Sequence, residues 1–361
     1  MRARSLLVLA LALGSLTAEG HARGPRFMMR AKVQGQKLEG RPLSVDAGEV
    51  QFLSRDGQLR TFPASAAKDY EAIGGSFKSY SASEMRALLE AEFGSKFDVT
   101  GTGHYLVVHP AGDRDQWAQR FEELYRSFQH YFQVRGVRLQ EPEFPLVAVV
   151  LPTQEDFIRH AARGGVNIGT SVLGYYSPLT NRILLFDITR GKPNSKDWRH
   201  NAETIIHEAT HQTAFNTGIH SRFGGSPKWV VEGLGTLFEA PGVSDSRFSG
   251  QQSERINRGR LQQFKQYLAG RRPAGSAAEL IASDQMFQSN VDAAYAESWA
   301  LTFFLVETEP RKYAQYLQKT AKREPFTEYT RAERLADFTS VFGSDLKMLE
   351  SRFLRFMQEV Q

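Results

Sequence analysis

Apolar and polar positions alternate through the first part of the chain. Between about Arg30 and Asp69 the short runs Ala31-Lys32-Val33, Leu43-Ser44-Val45, Val50-Gln51-Phe52-Leu53 and Leu59-Arg60-Thr61-Phe62 keep the two-residue period of half-buried strands. Asp56-Gly57, between the last two runs, is a hairpin turn signal because a tight turn needs positive φ there. Short strands with tight turns predict a small β domain over residues 28–72, closed into a barrel. Gly74-Gly75-Ser76 has the composition of a linker.

Beyond it the period changes. Residues 83–93 have helical spacing with a serine N-cap, 97–108 a hairpin pattern and 117–132 the pattern of a long amphipathic helix. Leu146-Val147-Ala148-Val149-Val150-Leu151 is a buried strand by length and branching. Residues 172–176 and 182–186 make a second hairpin around Ser177-Pro178-Leu179-Thr180-Asn181. From Asp197 onward the pattern is nearly all helical, with helices over 226–239, 254–268, 293–307, 311–321 and 345–360. A mixed sheet followed by helices predicts an α+β domain over 77–361. No internal repeat or low-complexity tract interrupts it.

With 361 residues and 41% hydrophobic content the chain can bury a core in more than one domain. A formal charge of +5 is too small a basic excess to suggest nucleic acid. The absence of cysteine excludes disulfides, thiolate metal sites and cysteine nucleophiles, so any metal must sit on His, Asp or Glu. Arg2 and Arg4 precede an apolar run over 6–16, and Gly20-His21-Ala22 fits a small-x-small cleavage site. Residues 1–22 therefore read as a signal peptide, since a membrane-spanning helix needs about 20 apolar residues. With no cysteine to carry lipid and no later segment of membrane length, the expected protein is periplasmic or extracellular, without membrane insertion after cleavage.

The chemistry concentrates in Thr204-Ile205-Ile206-His207-Glu208-Ala209-Thr210-His211-Gln212, which contains the pattern H-E-x-x-H. Residues four apart on a helix stand one turn above each other, about 5–6 Å between Cβ atoms, so two imidazoles can converge on one ion. Glu208 is rotated off that line and suits a general base acting on water. Apart from Glu208, no charge interrupts 204–214, as expected of a buried metal helix. Catalytic zinc usually takes three protein ligands, so a third must come from elsewhere. In Ser226-Pro227-Lys228-Trp229-Val230-Val231-Glu232-Gly233-Leu234, with Ser226 as N-cap, Glu232 is a carboxylate on an apolar helix. Its burial requires a partner, either a metal or an Arg or Lys.

The motif His207-Glu208-x-x-His211 with Trp229-x-x-Glu232-Gly233-Leu234 resembles the gluzincins, zinc peptidases whose third ligand is a glutamate on a following helix. Together with Ala214-Phe215-Asn216-Thr217-Gly218, it is most similar to a bacterial family of exported peptidase-MA-like proteins of unknown function. The resemblance implies a zincin-like domain, Zn2+ on His207, His211 and Glu232, and a peptide or protein substrate. It also implies that the 172–186 hairpin offers a sheet edge to substrate. Tyr295, at the start of a late helix, is where this class places an oxyanion donor, with His220 a second candidate for that task. The Gly-x-Met-Glu-Asn run of aminopeptidases is absent. The strands of 28–72 resemble an SH3-like barrel of the SLA1-homology type.

The reading that follows is a secreted or periplasmic zinc endopeptidase. Its alternatives are a cell-envelope binding or scaffold protein with a catalytically weak zincin-like domain, and zinc chemistry on a cell-wall amide, because fold does not fix substrate. His104, His109, His130, His160 and His200 lack paired ligand spacing and read as structural or surface residues.

Overall fold

The computed structural model describes residues 27–46, 48–112, 117–188, 198–245, 250–270 and 272–361, so the expected leader over 1–22 lies outside the described residues. The chain divides into two compact units, the first ending at Glu92 and also taking Glu143–Pro145 and Leu179–Asn181. The second comprises Phe93–Pro142, Leu146–Pro178 and Arg182–Gln361. Together they are a mixed α+β protein with sheets early and helices late.

In the first unit β1 (Phe27–Val33), β2 (Gln36–Asp46), β3 (Glu49–Ser54), β4 (Leu59–Pro63) and β5 (Ala67–Ser76) form an antiparallel sheet in the order β4-β3-β2-β1-β5. Met29, Ala31, Val33, Val50, Phe52 and Phe62 form its core, the alternate positions of the sequence pattern. Asp56-Gly57 makes the expected turn, with Gly57 at φ +83° and the Gln58 N–H donating to Asp56 Oδ1 at 3.0 Å. Among the described residues β4 does not pair with β5, so the sheet is open rather than the barrel expected. Alternation marks which face of a strand is buried but carries no information on closure.

The expected linker Gly74-Gly75-Ser76 lies inside β5. Phe27 pairs with Ser76 and Met29 with Ala72, so the partner strand bulges at Gly74 and Gly75, both at φ +73°. The conformational freedom that makes glycine common in linkers here admits a bulge. Helix α1 (Ala82–Phe93) follows, and the Ser81 Oγ accepts from Glu84 N–H while Glu84 Oε2 accepts from Ser81 N–H, a reciprocal cap.

The second unit builds a sheet from β6 (Phe97–Gly101), β7 (Tyr105–Pro110), β8 (Leu146–Leu151), β9 (Gly174–Ser177) and β10 (Arg182–Phe186), in the order β6-β7-β8-β10-β9. β8 is parallel to both neighbours and buried along its whole length, which explains its unbroken apolar run. Antiparallel β9 forms one edge. Helices α2 (Ala118–Gln133) and α4 (Trp198–Asn216) cover one face through Phe121, Tyr125, Ile205 and Ala209. Helix α3 (Gln154–Arg163), absent from the sequence expectations, packs Phe157 against Tyr175 and Phe186.

The longer of the remaining helices, α5 (Lys228–Phe238), α6 (Arg258–Ala269), α7 (Ser276–Ala282), α8 (Val291–Thr308), α9 (Pro310–Ala321), α10 (Arg331–Phe342) and α11 (Leu346–Glu359), gather around a second core. α8 is its axis, buried on every side from Ala296 to Val306. No described helix is long and apolar enough to cross a membrane.

Candidate metal centre

Helix α4 lays Ile205 and Ala209 on the sheet, and Gln212 Nε2 donates to the Val147 carbonyl of β8 at 3.0 Å. That docking turns His207 and His211 toward α5, where their Nε2 atoms lie 2.9 Å apart and their rings stand at 87°. Glu232 of α5 completes the group, its Oε2 3.2 Å from His207 Nε2 and 3.5 Å from His211 Nε2. In the four-coordinate geometry preferred by zinc, donors about 2.0–2.2 Å from the ion stand roughly 3.3–3.5 Å from one another. The two separations to Glu232, 3.2 and 3.5 Å, lie near that edge length and the imidazole pair at 2.9 Å is a few tenths of an ångström shorter, and all three donors belong to one cluster. The donor set is of the imidazole and carboxylate type that holds zinc, so residues and ion fit.

Two glycines explain the helix that carries Glu232. A Cβ on Gly233 would fall 2.2 Å from Thr302 Oγ1 and 2.8 Å from the Ser298 carbonyl, so this glycine lets α5 and α8 touch. A Cβ on Gly235 would lie 2.8 Å and 2.9 Å from the Cε1 atoms of His207 and His211. The first turn differs from expectation. Pro227, not Ser226, occupies the N-cap, and the buried Ser226 Oγ has no hydrogen-bond partner among the described residues.

A residue missed in the sequence, Glu239, orients His207. Its Oε1 is 2.8 Å from His207 Nδ1, and Asn257 Nδ2 donates to its Oε2 at 2.7 Å. A proton on Nδ1 leaves the Nε2 lone pair facing the other donors, the arrangement by which a carboxylate sets a ligand's tautomer. Its one sequence signal was position: Glu239 follows Glu232 by seven residues, two helical turns on the same face. Without an ion, burial opposes charge on His207, but hydrogen bonds to Glu232 and Glu239 overcome it and hold its pKa well above the usual value. Burial likewise opposes ionisation of Glu232, and hydrogen bonds from His207 and His211 hold its carboxyl well below the usual range.

Glu208 is buried outside the three-donor cluster, and its Oε2 accepts from the Tyr176 N–H of β9 at 2.6 Å. The sheet edge therefore reaches the candidate base directly. Tyr295 of α8 also arrives at the site. Burial raises its pKa most, followed by the negative charges of Glu232 and Glu208 nearby. His220 is buried against Phe215, its ring nitrogens make no well-formed hydrogen bond, and burial pushes its pKa down to about 3. The bland readings of other histidines agree with their surroundings: His104 bonds Glu122, His109 bonds Thr100 and His160 stacks on Phe93.

Residues 201–327 match the model of a family described as a protein of unknown function, DUF1570. No curated protein matches the chain. Among solved structures, the M1 zinc metallopeptidase from Deinococcus radiodurans is 14% identical with a TM-score of 0.39, the match covering 72% of this chain and 48% of that one. A mutant of that enzyme bound to a Tyr-Ser-Ala substrate is 13% identical with a TM-score of 0.38, covering 73% of this chain and 51% of the other. The chain thus spans about half the length of the structures it matches, and at these scores the likeness carries no argument about activity.

Proposed function

We propose that this protein is an exported zinc-dependent endopeptidase, a zincin-like hydrolase of the gluzincin type. The observation that carries the reading is the convergence of His207 Nε2, His211 Nε2 and Glu232 Oε2, with Glu208 held beside them by the edge strand. His207, His211 and Glu232 would hold the metal, with Glu239 fixing the orientation of His207. A zinc ion bound there supplies Lewis-acid polarisation and makes water a nucleophile near neutral pH.

The chain's own groups do the rest. Glu208 takes the proton of the attacking water and returns it to the leaving amine, while the backbone bond from Tyr176 keeps its carboxylate in place. The Tyr295 hydroxyl donates to the developing oxyanion, a task for which a phenol held protonated by burial and by Glu232 is suited. An extended peptide would add as a strand beside β9, at the edge whose Tyr176 N–H is held by Glu208.

Metal analysis and turnover of a denatured protein substrate test this reading together. Glu208→Gln should keep about one zinc per chain and lose about 10²–10⁴ in turnover, because an amide cannot take the proton. Glu232→Ala, His207→Ala and His211→Ala should lose the metal as well as activity. Wild-type protein that binds no zinc, or Glu208→Gln that loses zinc while Glu232→Ala keeps it, would overturn the assignment.

A further inference from the structure

Arg260, in the first turn of α6, places its guanidinium carbon 5.0 Å from the centre of the Tyr295 ring and donates from Nη1 to Gln263 Oε1 at 2.9 Å. Among the described residues no carboxylate lies within ion-pair distance of it. The carboxylates of the site have other partners. Glu208 accepts from Tyr176, Glu232 faces two imidazoles and Tyr295, and Glu239 is shared by His207 and Asn257. An arginine present only to neutralise them would be expected to pair with one.

The same side of the site carries a second cation. Phe287 packs edge-on to Tyr295 at 5.5 Å, and Lys228 Nζ stands 4.8 Å from the Phe287 ring. Lys228 lies one helical turn before Glu232 on α5. Beyond Tyr295, then, two cations are held on aromatic faces, and Arg260 keeps part of its surface open to solvent.

We infer that Arg260 binds a carboxylate of the substrate, so that the enzyme selects peptides bearing an acidic group near the bond that is cut. This rests on the peptidase reading. The guanidinium stacks on the ring of Tyr295, whose phenol lies near Glu232, so about one tyrosine side chain separates it from the metal donors, a span covered by about three residues of extended peptide. Its planar fork suits bidentate pairing with a carboxylate, and stacking on Tyr295 lowers the ordering cost of forming that pair. The carboxylate can come from an acidic side chain or from the chain terminus, and the two sources are separable by experiment.

Binding to zinc-loaded Glu208→Gln protein is measured by fluorescence anisotropy with three peptides of one sequence. The first has a glutamate near the cleaved bond and an amidated end, the second has glutamine there and an amidated end, and the third has glutamine and a free terminal carboxylate. One carboxylate peptide should bind about tenfold tighter than the neutral one, and the peptide that does so names the source. Arg260→Gln should abolish the advantage, Arg260→Lys should retain part of it, and Arg260→Glu should favour a lysine-containing peptide. Equal binding of all three peptides, no binding of any, or an advantage that survives Arg260→Gln would overturn the inference. Failure of the peptidase reading has a different signature: wild-type protein with zinc cleaves none of the peptides, whatever their relative binding.

Discussion

Glu232 within α5 and Glu239 at its C-terminal cap stand two turns apart on one side, and both touch His207, one at Nε2 and the other at Nδ1. Because both contacts favour the imidazolium and outweigh burial, the metal-free cluster holds a proton that a metal must displace. The sign follows directly: His207 has a raised pKa, so a proton competes with the metal for it, and its occupancy grows as pH falls. Zinc affinity should therefore decline about tenfold per pH unit below neutrality, with proton release on binding. Calorimetry in buffers of different ionisation enthalpy counts those protons, and binding without proton release would contradict the charge state. Glu239→Gln keeps a side chain of the same shape but removes the charge, and should weaken zinc binding about 10–100-fold. Tyr295→Phe should leave zinc content unchanged and lower turnover by about 10²–10³ if its hydroxyl serves the oxyanion. Unchanged turnover would assign the phenol to packing against Phe287 and Arg260.

At the scale of elements the site is a meeting of α4, α5, α8 and the edge of β9, and glycines set how close they come. Gly233→Ala drives a methyl into Thr302 and the Ser298 backbone, which cannot yield without moving α8, so about 1–3 kcal/mol of stability should be lost. Gly235→Ala instead meets the two imidazole rings, which can rotate, so its main effect should be weaker zinc binding at little cost in thermal stability. Thermal melts with and without zinc separate the two; a Gly235→Ala protein that binds zinc like wild type would show that the rings do not depend on that gap. Such contacts also mark what could be read in advance. His207, Glu208 and His211 were legible because their spacing is a property of one helix, and β6 to β10 because each is marked by residues of its own, β8 by an unbroken run of apolar, mostly branched side chains. Glu239, Asn257 and Arg260 were not, since their roles arise where separate elements meet. The expected barrel failed for the same reason, closure being a relation between β4 and β5 that neither strand encodes. Helix α3 was missed outright, and α7 and α10 were covered only by the general helical pattern beyond Asp197, without bounds of their own. α7 is only seven residues long, too short for periodicity to register, and it is held by Glu350 of α11, which accepts from Gly275 N–H and Ala277 N–H.

For the whole molecule, the division into two units yields a test of autonomy. The second unit contains the entire metal cluster and both large cores, one centred on α8 and one on the sheet with α2 and α4. A fragment starting at Phe77 keeps every one of those residues, so it should fold and bind about one zinc. It should also be less stable than the full chain, because the first unit draws on short stretches from later in the sequence. Leu59 N–H donates to the Leu179 carbonyl at 2.7 Å, Arg41 pairs with both oxygens of Glu143 at 2.9 Å and 2.8 Å, and Gly57 lies against the Phe144 ring. Removing β1 to β5 strips those partners and uncovers Phe144, which is 5% exposed in the full chain. Exposing a phenylalanine costs about 1.5–3 kcal/mol, which for a unit of this size lowers the melting temperature by several degrees. If the fragment precipitates, the same fragment with Phe144→Ser distinguishes a sticky new surface from a lost fold. A soluble Phe144→Ser fragment that binds zinc would keep the second unit autonomous, whereas one that neither folds nor binds zinc would make the early sheet part of the cooperative unit that forms the metal centre.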